Sequence, residues 1–434
     1  MKMIRIIVLW MYRSAFSSVV FFLAISLIFS CTPSGKLSNQ NLSYVYQRKV
    51  SPPSVEYSLF QFSNDSSKIF FRINPQQFLA VKQSNASFFV RVAIKLQIYS
   101  AYESDEYNTI PDSVVFEVPV SNQRDTNYVC VKSLVFKNPE KDAFLLKLII
   151  IDRNKAQTNY DFLQVHNTIN PQNKNRFFCT KALNQEPYFN HFFQDDSLSL
   201  HFADSSKREF AVSYFYQDFP LADPPFSVQT HVPFRLKPDS LFFVQADTPF
   251  FFSKKGFYHF RTDTTDKIGF TLFRYENQFP AISFATEMLG PLRYLTSQKE
   301  YNDLVHSSNM KDAVDQFWLK VAGDPDRARQ LIRKFYSRVQ TANHLFSSYH
   351  QGWKTDRGMI FIVFGPPNAV YRTSDAETWI FGNPANLQSI VFTFVKVLNP
   401  YTDNDYQLSR SPIYQPVWYM AIEAWREGRL FNDK

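Results

Sequence analysis

The chain has 434 residues, with 47 lysines and arginines against 39 acids and a formal charge of +8. That length makes two or three domains at roughly 100 to 200 residues each, and the mild charge with no Lys/Arg block excludes a nucleic-acid surface. No glycine occurs between Gly35 and Gly256, which excludes a glycine-rich phosphate loop of either familiar spacing from that stretch.

Residues 1–30 carry Lys2, Arg5 and Arg13 and no acid, followed by an apolar run over 19–29 that ends at Ser30-Cys31. A charged, then apolar, then small-residue order reads as an export signal. With Ser30 before Cys31 and aliphatic Ile28 three residues ahead of it, the run resembles a bacterial lipobox, which implies that Cys31 is acylated and opens the mature chain. A single transmembrane anchor is the alternative, because the apolar stretch approaches the roughly 18 residues needed to span. Residues 32–40 contain no acid, which favours the periplasmic face of the outer membrane over surface display. Loss of the first thirty residues brings the formal charge to +5. Residues 31–54, rich in Ser, Asn and Gln, read as a tether.

Over 55–170 the pattern is short β-like runs at 57–62, 68–73, 88–99, 113–120, 128–136 and 144–152, punctuated by Asn-Asp, Pro and Ser clusters. A second series over 186–288 places strands at 198–202, 210–215, 241–244, 256–261 and 267–274. Both predict antiparallel sandwiches of immunoglobulin-like character. The 46 phenylalanines mostly fill the sandwich cores in this reading. Phe250-Phe251-Phe252 cannot all point inward on an extended strand, so one or more of them is expected at an interdomain seam. Cys130 and Cys179 could form one disulfide in an oxidising compartment, although sequence does not establish the geometry.

Residues 290–434 have a different texture. Thr296 with Glu300 behind it opens a short helix over 297–305. Val314, Phe317, Trp318 and Val321 share one helical face, ended by Gly323. Asp324 and Pro325 then start a longer helix with Ala328, Leu331, Ile332, Phe335, Val339, Ala342 and Phe346 as its buried stripe. Its basic residues Arg327, Arg329, Arg333, Lys334 and Arg338 are expected on a solvated face.

Next comes Gly352-Trp353-Lys354-Thr355-Asp356-Arg357-Gly358, an apolar run over 359–364, and Gly365-Pro366-Pro367. Three of the chain's ten glycines fall in these fourteen residues. Gly352 is expected to adopt positive φ, Trp353 to anchor the turn, and Thr355 and Asp356 to bond nearby backbone amides, with Asp356 free to pair with Arg357 or another cation. The apolar run reads as a buried strand, with 377–381, carrying Trp379, and 390–397 as the next two. The predicted fold is therefore mainly β, with a C-terminal α+β domain holding a helical segment and a three-stranded antiparallel sheet. Farther on, Trp418, Tyr419, Ile422 and Trp425 at helical spacing either close the core or offer a docking face.

Gly352-Trp353, Thr355-Asp356, the Gly365-Pro366-Pro367 turn and the downstream Glu377-Thr378-Trp379 resemble the GWxTD-motif domain of Bacteroidota-type envelope proteins, over about 290–434. The resemblance implies a lipid-anchored envelope protein, with no reaction or cofactor attached.

The residues themselves indicate no metal site and no catalytic constellation: there is no His-Glu-x-x-His, no paired-cysteine knuckle and no Gly-x-Ser-x-Gly elbow. His344, His350 and Glu377 are the candidate partners for a catalytic Asp356, at spacings that do not predict convergence. The expectation is a non-catalytic envelope lipoprotein, held to the outer membrane by its lipid and contacting another envelope protein in an assembly or secretion complex. A glycan- or peptidoglycan-binding lipoprotein is the alternative, and an envelope hydrolase the third reading.

Overall fold

The computed structural model describes residues 36–47, 54–82, 88–105, 107–109, 114–120, 129–166, 173–189, 191–216, 219–228, 237–276, 278–386 and 388–429. The export signal and Cys31 lie outside these described residues.

The first sandwich uses β1 Glu56–Phe60, β2 Ser66–Ile73, β3 Val81–Lys82, β4 Phe88–Tyr99, β5 Tyr107–Thr109, β6 Val114–Val120, β7 Cys130–Lys137, β8 Ala143–Asp152 and β9 Gln157–His166. One sheet runs β1-β2-β7 and the other β3-β4-β8-β9, with β5 and β6 also pairing β4. Strict alternation along β2 turns Ile69, Phe71 and Ile73 inward against Val90, Val92 and Ile94 of β4 and Leu146 and Leu148 of β8, as period-two patterning requires.

The second sandwich pairs β10 Phe177–Lys181, β11 Leu198–Phe202 and β14 Pro249–Phe250 against β12 Glu209–Phe215, β13 Ser240–Gln245, β15 Gly256–Arg261 and β16 Phe270–Arg274. Aromatic rings fill its core, including Phe177, Phe210, Phe250 and Phe260. Phe250 and Phe252 stack inside with centroids 5.0 Å apart. Phe251 covers no seam: it is half exposed and lies over the Arg274 guanidinium. Cys130 packs against the first core and Cys179 lies in the second, and both thiols are free, so the disulfide is absent.

The C-terminal part holds α1 Ala285–Leu292, α2 Gln298–Val305, α3 Met310–Ala322, α4 Pro325–Phe346, α5 Asp356–Phe364 and α6 Gln415–Arg426, with strands β17 Ala369–Arg372, β18 Ala376–Phe381, β19 Ile390–Lys396 and β20 Tyr406–Leu408. Ser297, rather than Thr296, caps α2 in a reciprocal box with Glu300, while Thr296 bonds back to Leu292. Asp324 caps α4, and Gly323 ends α3 in the left-handed region at φ 71°, where glycine avoids the Cβ penalty. The sheet has four strands in the order β17-β18-β19-β20 rather than three. Two short edge strands escaped the sequence reading, and the predicted strand over 359–364 is the helix α5.

One further expectation changes on α4, and one choice is decided on α6. Arg338 is buried, donating to the Ile362 and Val363 carbonyls at the end of α5 and lying over Trp425, so it is a strut and not part of a solvated face. Trp418 and Trp425 are buried, with Trp425 Nε1 donating to Val363 O at 2.9 Å. In α6, therefore, the tryptophans close the core.

The segment read as a tether is also built in over residues 36–47. Leu37 enters a small cluster with Tyr99 and Leu145 of the first sandwich, whereas Leu42 and Tyr46 enter the C-terminal core. Leu42 N donates to Val370 O, Val370 N to Asn41 Oδ1, and Gln47 Nε2 to Pro367 O. The segment thus covers the β17 edge, which would otherwise present unpaired backbone groups. Its apolar residues, Leu37, Leu42 and 44–46, are too few and too unevenly spaced to sustain a helical or strand period. A tether would tolerate substitution to within about 0.5 kcal/mol; Leu42→Ala is instead expected to cost about 2 to 5 kcal/mol and Tyr46→Phe about 1 to 3 kcal/mol, as measured by urea unfolding.

Candidate functional site

The turn before α5 depends on close backbone approach. Gly352 has no positive φ. An ideal Cβ there would lie 2.0 Å from Ala342 O, and one on Gly358 would lie 1.9 Å from Gly352 O. Glycine is therefore required for lack of volume. Thr355 accepts from Gly358 N at 3.0 Å and donates to Gly352 O at 2.7 Å, capping the helix. Trp353 lies against Gly290, and its backbone is held by Asn343 Oδ1 and the Tyr294 hydroxyl. All nine residues of α5 are buried. A helix apolar on every side carries no 3.6-residue period, so this run cannot be told from a buried strand by pattern. Gly365, at φ 85°, ends the helix over the Arg338 guanidinium, Pro366 is exposed and Pro367 is buried.

Asp356 and Arg357 project from the first turn of α5 to different partners. Asp356 pairs with Arg410, one contact measuring 3.1 Å, and accepts from Leu408 N at 2.7 Å. Burial pushes its carboxyl up, opposed by the Arg410 charge. Arg357 reaches Glu377 at 3.3 Å, donates to Asn404 O and Oδ1, and stacks 4.0 Å from the Tyr406 ring centroid. Glu377 Oε1 also accepts from Tyr46 OH at 2.5 Å and from Trp379 Nε1 at 2.8 Å. Burial works against this carboxylate, yet Arg372 and Arg357 outweigh it and hold its pKa below the usual range.

Strand register explains why these groups meet. Val370, Trp379, Phe392 and Phe394 point inward against the helices, and so do Arg372, Glu377, Lys396 and Tyr406 at one end of the same face. That polar end opens on a cavity of about 460 Å³ between both sandwiches and the C-terminal domain, walled also by Tyr102, Phe162, Lys174 and Phe270.

Among the sequence candidates, Glu377, His344 and Arg357 line this cavity, whereas Asp356 and His350 do not. His350 is pulled down to about 4 by burial and packs against Tyr349 and Phe219. Glu377 and Asp356 are each engaged by separate cations, so Asp356 does not pair with Glu377, and neither His344, on the cavity wall, nor His350 is among its hydrogen-bond partners. Tyr46, Arg372, Lys396, Asn404 and Arg410 were missed. For Lys396 a signal existed, since it is a charged residue at an inward position of the strand expected over 390–397, whereas Arg372 lies on β17, an edge strand absent from the sequence reading. Among the described residues no group of three metal-binding side chains occurs.

Gly358→Ala should destabilise by about 3 kcal/mol or more because backbone must move, whereas Gly323→Ala, with nothing within 4 Å of its Cβ, should cost only about 1 to 2 kcal/mol for its backbone conformation. A pH test falls on Asp405, which accepts from Tyr349 OH and Asn399 Nδ2 and whose carboxyl is pushed up to about 6 by burial. A raised acid favours the folded state at low pH and loses that contribution as pH rises through 6. Relative to Asp405→Asn, the wild type should therefore lose about 1 kcal/mol between pH 5 and pH 7.5, read from urea unfolding at both.

The family model for the GWxTD domain matches residues 256–427. The match begins at β15, inside the second sandwich, and so reaches further toward the N-terminus than the region carrying the motif itself. No curated protein matches the chain. With the motif glycines, threonine, aspartate and tryptophan in one buried turn and a family match across it, the chain is a GWxTD domain-containing protein.

Proposed function

We propose that this chain is a non-catalytic, lipid-anchored component of the cell envelope, on the periplasmic side of the outer membrane, that works by contacting another envelope protein in an assembly or secretion complex. The observation that carries this reading is the outer face of the four-stranded sheet. Opposite the inward row, the strands present Tyr371, Thr378, Ile380, Val391, Thr393, Val395 and Gln407 in register. None is charged, and Val391 and Val395 are well exposed. Depletion of charge at the centre of an exposed patch is the compositional mark of a contact surface.

Two features lend support. The motif's polar groups are satisfied by internal partners, which suits a rigid support for that sheet better than acid–base chemistry. The signal ending at Ser30-Cys31 supports anchoring through Cys31.

The test is in-cell crosslinking from a photoreactive residue at Thr393, at the middle of the face, with mass spectrometry of the outer-membrane fraction. A discrete protein adduct is expected, lost in a Val391→Glu/Val395→Glu variant. An acylated, folded protein giving no adduct would overturn the reading.

A further inference from the structure

The junction cavity is unbalanced in charge. Four cationic side chains line it, Lys174, Arg357, Arg372 and Lys396, against two carboxylates, Glu377 and Asp403. Both carboxylates are already engaged: Glu377 by Arg357, Arg372, Tyr46 and Trp379, and Asp403 by Lys174, with His166 Nε2 3.9 Å away. Lys396 Nζ donates only to the neutral amide oxygen of Gln164, at 2.9 Å, and has no ion pair among the described residues. Arg372 donates through Nη2 to Tyr46 OH, but its buried Nε has no hydrogen-bond partner and stands 3.6 Å from Glu377. Arg372 thus shares the Glu377 charge, whereas half-buried Lys396 has no ion-pair partner among the described residues, and a cation withdrawn from water without a counter-charge is costly. Beside Lys396 and the Arg372 guanidinium are the rings of Tyr102, Phe162 and Tyr406.

The titration of the neighbours follows the same excess. Burial and then Lys396 pull Lys174 down to about 7. Burial and then Lys174 and Lys396 pull His166 down to about 4, and burial and then Lys174 do the same to His191. Asp375 raises Lys396, but burial dominates and lowers it.

We infer that the cavity binds a small organic anion, its carboxylate or phosphate head between Lys396 and Arg372 and an apolar or ring body against Tyr102, Phe162 and Tyr406. The volume lies within the range of about 300 to 1,000 Å³ usual for small-molecule sites, and guanidinium and ammonium donors suit either head group. Because all three structural units supply walls, an occupant would also brace their junction. This site faces inward from the sheet and is independent of the contact proposed for the outer face.

The test is isothermal titration of the full-length protein at low ionic strength with phenyl phosphate, benzoate and benzyl alcohol. At least one of the two anions should bind saturably with one site per chain, the neutral alcohol should not, and the tighter anion identifies the preferred head group. Lys396→Gln should weaken anion binding at least tenfold while leaving the melting temperature without anion unchanged or higher, because it removes an uncompensated charge. Arg372→Lys, which keeps the charge but removes Nε, should weaken binding less. The inference fails if neither anion binds saturably, if benzyl alcohol binds as well as the anions, or if Lys396→Gln binds like the wild type. A lower melting temperature in Lys396→Gln would make the lysine a structural strut and equally overturn it.

Discussion

The C-terminal architecture hangs on the buried carboxylate of Glu377. Removing a carboxylate from water costs several kcal/mol unless partners replace the solvent, and here those partners come from separate parts of the chain. Arg357 comes from α5, Arg372 from β17, Trp379 from the same strand as Glu377, and Tyr46 from the N-terminal segment. Satisfying one carboxylate thus fixes the helix against the sheet and draws residues 36–47 into the core. Loss of any one partner would leave a buried charge or dipole exposed to the others, so the group is held as a unit.

The motif makes that arrangement reachable. Gly352 and Gly358 allow three backbone segments to approach where a methyl group would collide, and Thr355 satisfies the helix start inside the contact. Asp356 and Arg357, adjacent in sequence, then diverge to Arg410 and Glu377. The motif reads as a device for placing α5 under the sheet, which is why its side chains are consumed internally. The two faces of the sheet differ accordingly. The outer face is uncharged, the inner face is apolar at one end and cationic at the other, and the proposals for partner and ligand rest on those separate surfaces.

Much of this organisation is readable locally. Alternation along β2, β4, β8 and β12 identifies sandwich strands because a half-buried strand must bury every second side chain. The caps at Asp324 and Gly323 identify helix limits because unpaired backbone groups need local partners. The importance of Gly352 was legible, but its reason was not: the approach of Ala342 O involves the preceding helix, and sequence suggested a backbone dihedral instead. The helix over 359–364 was missed because total burial erases the period on which a pattern reading depends.

The sequence by itself determined the two sandwiches, the α4 stripe, the position of the motif turn and the export-signal pattern, all of which follow from interactions within a few residues. Only the tertiary structure decided that Tyr46 would meet Glu377 across 331 positions, that Asp356 would pair with Arg410, and that Arg372 and Lys396 would face one cavity. The physical reason is that charge pairing acts at a few ångströms regardless of sequence separation. Its partners exist only once the sheet register and helix packing have brought distant segments together.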